Sequence, residues 1–358
     1  MKYKAILITG GAGFVGSNLA VLFKKKYPKT RVIALDSLKR RGSELNINRL
    51  KENNVKFIHG DIRCPEDLYL GVNIDLLIEC SAEPSVLSGI KDNPAYVINT
   101  NLAGTVNCLE LARRKKADVI FLSTSRVYPY GAINKIKARE LDSRFEWQDG
   151  QHVEGWSRRG IDTHFRTDGA KTFYGATKLA SELLLQEYIT NYGMKAVINR
   201  CGVIAGPWQF GKVDQGVFTF WMLSHYFKKE LKYIGFGAKG KQVRDLLHIN
   251  DLFSLIDLEA SQLDKINGEI YNVGGGREVS LSLLETTRVC EKICGNRIKI
   301  GKDVRNRPGD IIIYLSDNKK VSKELGWKPK FAPEDILSDI FDWISDNEGE
   351  IKQSLSYF

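Results

Sequence analysis

Ala5-Ile6-Leu7-Ile8-Thr9-Gly10-Gly11-Ala12-Gly13-Phe14-Val15-Gly16 is an apolar run that breaks into glycines at 10, 13 and 16. The run reads as a buried strand, and Val15, Leu19, Leu22 and Phe23 then recur at helical spacing. A glycine at 10 permits the tight turn between the two elements. One at 13 lets a ligand approach the backbone, and one at 16 lets the helix pack close to the strand. The helix so begun points its free N–H groups and positive dipole end at whatever occupies the turn, which suits a diphosphate. Strand, turn and helix stand in register, and this separates the stretch from a chance glycine pattern.

Twenty positions beyond Gly16, Asp36 ends the next apolar run, Val32–Leu35. A carboxylate there accepts hydrogen bonds from adenosine ribose hydroxyls and repels a 2′-phosphate. The segment from Tyr3 to Asp36 therefore predicts an NAD site, although Lys39, Arg40 and Arg41 nearby could draw a phosphate.

Working outward, short apolar runs continue at Val55–Ile58, Leu76–Ile78, Val119–Leu122 and Ala196–Ile198. Amphipathic stretches around Val15–Lys25, Val97–Arg113 and Gly175–Tyr192 lie between them. That alternation predicts an α/β fold, a Rossmann-type doubly wound parallel sheet covered on both faces. After about Arg200 the rhythm breaks into Gly- and Pro-punctuated segments with single helices. The last of these carries Ile336, Ile340, Trp343 and Ile344 on one stripe. The expected organisation is a nucleotide-binding domain over residues 1–200 and a smaller substrate-binding lobe over 201–358. Some chain crossover and a cleft between them are expected as well.

Composition narrows the class. Hydrophobic residues at 43% and charged residues at 27% are those of an ordinary globular protein. No run approaches the roughly 18 apolar residues that a membrane span needs, and the N-terminal apolar stretch is too short for a signal peptide. A cytoplasmic protein is the expectation. The net charge of +10 is spread along the chain without interleaved aromatics, so a small anionic partner is expected rather than nucleic acid or membrane. Of six cysteines only Cys290 and Cys294 are close, with no second pair and no nearby histidine. They read as small core residues, and no metal is expected.

Tyr174 and Lys178 lie four residues apart at the start of a helix, so both project from one face. An ammonium near a phenol favours the phenolate, giving a base able to take a hydroxyl proton. Upstream, Val119–Leu122 runs into Ser123-Thr124-Ser125 at a strand's C-terminal end, where a hydroxyl can bond the reacting oxygen.

These residues together resemble the extended short-chain dehydrogenase/reductase superfamily over essentially the whole chain. The carrying motifs, in order, are Thr9–Gly16, Asp61-Ile62-Arg63, Asn101-Leu102-Ala103-Gly104-Thr105, Ser123-Thr124-Ser125 and Tyr174–Lys178. Arg244-Asp245-Leu246-Leu247-His248 and Arg307-Pro308-Gly309-Asp310 follow. Within it the chain is similar to the CDP-paratose 2-epimerase (CDP-tyvelose epimerase) family. That likeness rests on Cys80–Val86, Arg200–Phe210, Asp214-Gln215-Gly216 and Gly240-Lys241-Gln242-Val243-Arg244-Asp245.

The resemblance implies Thr124, Tyr174 and Lys178 as the catalytic residues, with Lys178 also on the nicotinamide ribose. It places Gly10, Gly13, Phe14, Val15, Gly16, Asp36, Asp61, Ile62, Ser81, Ala82, Asn101, Cys201 and Val203 on NAD, along with Tyr174 and Lys178. It places Glu83, Ser85, Thr124, Gln209, Gln215, Gly216, Val217, Arg244, Arg307 and Asp310 on a nucleotide-sugar substrate, the two arginines clamping the diphosphate. The implied reaction inverts C2 of a CDP-linked dideoxyhexose through a 2-keto intermediate, by transient hydride transfer to bound NAD. A homodimer or homotetramer, paired through helices such as 97–113 and 175–192, is implied too.

Ser125-Arg126 stands where the resembled family tends to carry Asn-Lys, which loosens the substrate roles there. It also lacks the acidic pair that a 4,6-dehydratase would place after the threonine. A UDP-sugar 4-epimerase uses the same catalytic residues and stays open, as does a non-catalytic NAD-sensing protein. Between Tyr128 and Tyr174 lies a long polar insertion, 131–170, with Trp147, Trp156, Arg158, Arg159, His164 and Arg166. Its length predicts a lid over the sugar, with His164 a solvated loop residue.

Overall fold

The computed structural model describes residues 2–90, 92–211 and 215–354, so Asp214 of the Asp-Gln-Gly stretch lies outside the described residues. The chain divides into two compact units. The first comprises Met1–Thr124, Phe173–Arg200 and Phe253–Tyr271, and the second Ser125–Thr172, Cys201–Leu252 and Asn272–Phe358.

In the first unit the predicted runs form strands β1 (Ala5–Thr9), β2 (Arg31–Asp36), β3 (Lys56–His59), β4 (Leu76–Glu79), β5 (Asp118–Thr124) and β6 (Ala196–Cys201). With β7 (Ile270–Val273) they make a seven-stranded sheet in the order β7-β6-β5-β4-β1-β2-β3. β1 pairs in parallel with β2 and β4, β2 with β3 and β4 with β5. Strand direction is therefore common, and the C-terminal ends Thr9, Asp36, Glu79 and Thr124 line one edge of the sheet. The order reverses between β1 and β4, the switch point beside which parallel sheets bind ligands.

Helices α1 (Phe14–Lys26), α2 (Gly104–Lys115) and α3 (Phe173–Tyr192) flank the sheet. Leu7, Leu77, Val119, Phe121 and Ile198 of the strands pack with Cys108, Leu109 and Ala112 of α2 and Leu185 of α3 in one buried cluster. Burial on both faces is why these strands are continuously apolar rather than alternating.

One predicted helix is not continuous. The stretch around Val97–Arg113 splits into Ala95–Ile98, a π-helical turn Asn99–Ala103, and α2. The Asn101 carbonyl lies within that turn. It accepts bonds from Thr105 Oγ1 at 2.8 Å and from Ser181 Oγ of α3 at 2.9 Å. Such turns recur at functional sites, and this one fixes Asn101.

The second unit holds a four-stranded sheet of Val203–Ala205, Val243–His248, Ser280–Ser282 and Ile313–Tyr314. Helix Leu283–Cys294 starts on a capping box, with Ser282 and Glu285 each bonding the other's backbone N–H. Cys290 on that helix is fully buried and Cys294 partly so. In helix Pro333–Asp346 the predicted stripe of Ile336, Ile340, Trp343 and Ile344 is buried.

Residues 131–170 are not a loop. They form two hairpins, Ala138–Glu140 with Phe145–Trp147 and Trp156–Ser157 with Gly160–Ile161. Trp147, Ile161 and Phe165 are buried. Arg144 reaches Glu285 at 2.6 Å, Glu146 pairs with Arg277 at 2.7 Å, and the Ile161 amide donates to the Leu315 carbonyl at 2.8 Å. The polar composition that suggested a lid is spent on ion pairs that dock the segment within its own unit. His164 carries an exposed ring beside Asp162, the solvated setting expected.

Candidate active site

The glycine turn has the geometry that its spacing predicted. Gly10 adopts φ +63°, in the left-handed region that only glycine occupies without strain. A Cβ on Gly16 would lie 2.2 Å from the Gly10 carbonyl oxygen, so α1 can approach β1 this closely only with hydrogen there. Gly13 is the N-cap of α1 without a side-chain capping bond, which leaves the first-turn N–H groups of Phe14, Val15 and Gly16 available to a phosphate.

Asp36 ends β2 with its carboxylate accepting the Leu38 amide at 2.8 Å and the Ala12 amide at 3.1 Å. Burial raises its pKa, while those amides oppose the shift. The turn and the Asp36 carboxylate are thus hydrogen-bonded into one cradle, which fits NAD.

Along the same edge, Asp61 is paired to Arg63 at 2.5 Å, which holds its carboxyl below the usual range. Ile62 is buried, and its carbonyl accepts from Asn107 at 2.8 Å. Ser81 and Ala82 follow β4. Asn101 clasps the backbone of Glu83 twice, accepting its amide at 2.7 Å and donating to its carbonyl at 3.0 Å. Glu83 in turn accepts the Ser85 amide at 3.1 Å. The π-turn thus sets the loop that carries Ser81, Ala82, Glu83 and Ser85.

Thr124 is the last residue of β5 and is buried. Tyr174, half-buried, and Lys178, 1% exposed, lie one turn apart at the start of α3. The Lys178 ammonium sits 4.0 Å above the ring of Phe121 and 3.5 Å from Glu79 Oε2. One further turn along α3, Glu182 forms a fork with Arg200 at 2.7–3.1 Å and accepts Ser123 Oγ. The residue before Thr124 is thereby tied to the helix that carries Tyr174 and Lys178.

Sequence reading missed Glu79, Glu182 and Arg200. Glu79 had a visible signal: a carboxylate closing the apolar run Leu76-Leu77-Ile78, on a strand buried throughout.

Of the remaining predicted residues, Cys201, Val203, Gln209, Gln215, Gly216, Val217, Arg244, Arg307 and Asp310 belong to the second unit. Arg244 donates to Asp310 Oδ1 at 2.9 Å and to the Val243 carbonyl at 2.8 Å. Burial lowers its pKa to about 10, so it stays cationic at neutral pH. Arg126 lies close enough to contribute to that lowering and donates to the Gly309 carbonyl at 2.9 Å. Asp310 closes the same turn, its amide donating to the Arg307 carbonyl at 3.2 Å. A guanidinium held by one carboxylate, with a second cation beside it, can exchange that carboxylate for a diphosphate. Gln209 accepts Thr219 Oγ1 at 2.6 Å and donates to the Ile204 carbonyl at 3.2 Å. Gly216, at φ +65°, packs against its side chain and begins helix Val217–Tyr226. Among the described residues no cluster of metal-ligating side chains occurs, and no helix is long and apolar enough to cross a membrane.

Residues 6–274 match the NAD dependent epimerase/dehydratase family. The CDP-paratose 2-epimerase of Salmonella typhi is 31% identical over 95% of this chain and 99% of its own. The dTDP-glucose 4,6-dehydratase of Streptomyces niveus is 30% identical over 96% of this chain and 93% of its own. Among solved structures, the dTDP-glucose 4,6-dehydratase DesIV of Streptomyces venezuelae, with NAD bound, superposes with a TM-score of 0.76. It is 26% identical and covers 98% of this chain and 99% of its own.

Proposed function

The chain belongs to the NAD-dependent epimerase/dehydratase family, and from that membership we propose that it is a nucleotide-sugar epimerase, acting as a CDP-paratose 2-epimerase. The carrying observation is the first unit's sheet edge. There a glycine cradle with Asp36, a buried Thr124, and Tyr174 and Lys178 on one helix face stand together.

Bound NAD supplies a hydride acceptor that can also give the hydride back, and Gly10, Gly13, Phe14, Val15, Gly16 and Asp36 hold it. Tyr174 takes the proton from the sugar hydroxyl as the carbon is oxidised, and returns it when the 2-keto sugar is reduced on its other face. Thr124 bonds the reacting oxygen in both half-reactions, and the ammonium of Lys178 favours the phenolate. Arg244 and Arg307 bind the diphosphate, so the sugar can turn while the nucleotide stays anchored. The same proton and hydride leave and return, so the cofactor is regenerated each turn and should copurify.

Ser125-Arg126 supports epimerisation over dehydration, because no acid follows Thr124 and Arg126 is engaged with the Gly309 carbonyl. A UDP-sugar 4-epimerase, which uses the same catalytic residues, is the second reading. A panel of CDP-, UDP-, GDP- and dTDP-sugars, scored for product stereochemistry, decides between them. In D2O the inverted carbon should gain no solvent deuterium; deuterium there refutes the hydride mechanism. Tyr174→Phe should retain NAD and lose turnover by about 10²–10⁴-fold, and surviving turnover removes the proposed base. Pairing into a homodimer through α3 is supported by its exposed Leu183, Leu184 and Tyr192, and light scattering measures it.

A further inference from the structure

Glu79 is fully buried at the C-terminal end of β4, 99 residues away in sequence from the lysine it touches. Three groups donate to its carboxyl. The Ser81 amide lies 2.9 Å from Oε1, the Thr9 hydroxyl 3.5 Å from Oε1, and the Lys178 ammonium 3.5 Å from Oε2. The Ser81 amide and the Lys178 ammonium can only donate, so this arrangement suits the carboxylate. The buried thiol of Cys108 on α2 also faces the pair, and burial holds it neutral. Glu182, one turn beyond Lys178, is already committed to Arg200.

We propose that Glu79 is the counter-charge and positioning residue of Lys178, and that its carboxylate sets the pH at which Tyr174 becomes a base. This rests on the reading of Tyr174 as the proton acceptor. An ammonium near the phenol, acting alone, lowers the pH at which Tyr174 gives up its proton. A carboxylate 3.5 Å from that ammonium offsets part of the pull and so raises the pH at which Tyr174 becomes a base. The ammonium has three hydrogens. One directed at Glu79 fixes its position over Phe121 and leaves two for the ribose and for Tyr174. Burial raises the Glu79 pKa while Lys178, Ser81 and Thr9 oppose the shift, so its ionised state depends on this partnership.

The test uses the full chain with NAD and needs no substrate. The tyrosinate absorbance of Tyr174 is titrated as the difference between the chain and its Tyr174→Phe variant, then again with Glu79→Gln in both. Glu79→Gln keeps shape and removes charge, and the Tyr174 step should move to lower pH by about one unit or more. A step at the parent pH overturns the proposal, because a purely structural Glu79 would alter stability without moving the titration. Should Glu79→Gln fail to fold by circular dichroism, Glu79→Asp carries the test. It retracts the charge by one methylene and should move the step in the same direction by less, and an unmoved step again overturns the proposal. A shifted step in a chain that turns over no nucleotide sugar upholds the role of Glu79 and removes only the epimerase reading.

Discussion

Removing the carboxylate of Glu182 should cost stability and activity together. Its side chain is 1% exposed and that of Arg200 6%, and the two meet in a fork at 2.7–3.1 Å. Two charges this deep have given up their hydration, so their mutual attraction and shared hydrogen bonds must replace it. Glu182→Ala leaves a buried guanidinium without its carboxylate and frees Ser123 Oγ from its acceptor. Breaking a buried pair by one partner costs about 3–5 kcal/mol. Replacing both, as in Glu182→Leu with Arg200→Met, removes the desolvated charges as well and should recover most of that loss.

Ser123 immediately precedes Thr124, and Glu182 lies one turn from Lys178. The single variant therefore also loosens the threonine and lysine, and a displacement of about 1 Å can cost roughly 10²-fold in kcat/KM. Urea unfolding read by circular dichroism gives the stability term, and hydrogen exchange at β5 and α3 amides localises it. A loss under about 1 kcal/mol for Glu182→Ala, or a double variant less stable than the single one, would refute the reasoning.

Other outcomes follow from the same geometry. Gly16→Ala places a Cβ 2.2 Å from the Gly10 carbonyl oxygen and must push α1 off the turn. NAD affinity by calorimetry should fall about 10–100-fold with a stability loss of about 1–3 kcal/mol, and unchanged binding would contradict the cradle. Asp36→Ala removes the ribose acceptor and its repulsion of a 2′-phosphate. The ratio of NAD to NADP affinity should drop at least about 10-fold, whereas an unchanged ratio would place the ribose elsewhere. Glu259 is fully buried beside Asn199, and burial raises its carboxyl to about 8. Between the ordinary glutamate value and about 8, the native chain keeps a proton that the unfolded chain has released. Stability therefore falls as pH rises through that window and levels above it. Glu259→Gln removes the slope: variant and parent should match within about 1 kcal/mol near pH 5, and the variant should lead by about 4 kcal/mol near pH 8. Parallel curves for the two proteins would sink this account.

What the sequence determined by itself is what neighbouring residues decide through backbone geometry and periodicity. Glycines at 10, 13 and 16 permit one turn between one strand and one helix, and the structure has that turn. The four-residue spacing of Tyr174 and Lys178 is likewise a property of any helix. Continuous apolar runs marked the parallel sheet because strands buried on both faces have no use for alternation. Polar groups distant along the chain are different, because their energies depend on who meets them in the dry interior. Glu79 could have been a surface carboxylate; tertiary packing buried it fully against Lys178, Ser81 and Thr9. Glu182 and Arg200 became a pair only when α3 lay against β6. The length of the polar stretch 131–170 suggested a lid because sequence records polarity and not partners. Folding joined Arg144 to Glu285 and Glu146 to Arg277, which turned an apparent loop into a fixed part of the second unit.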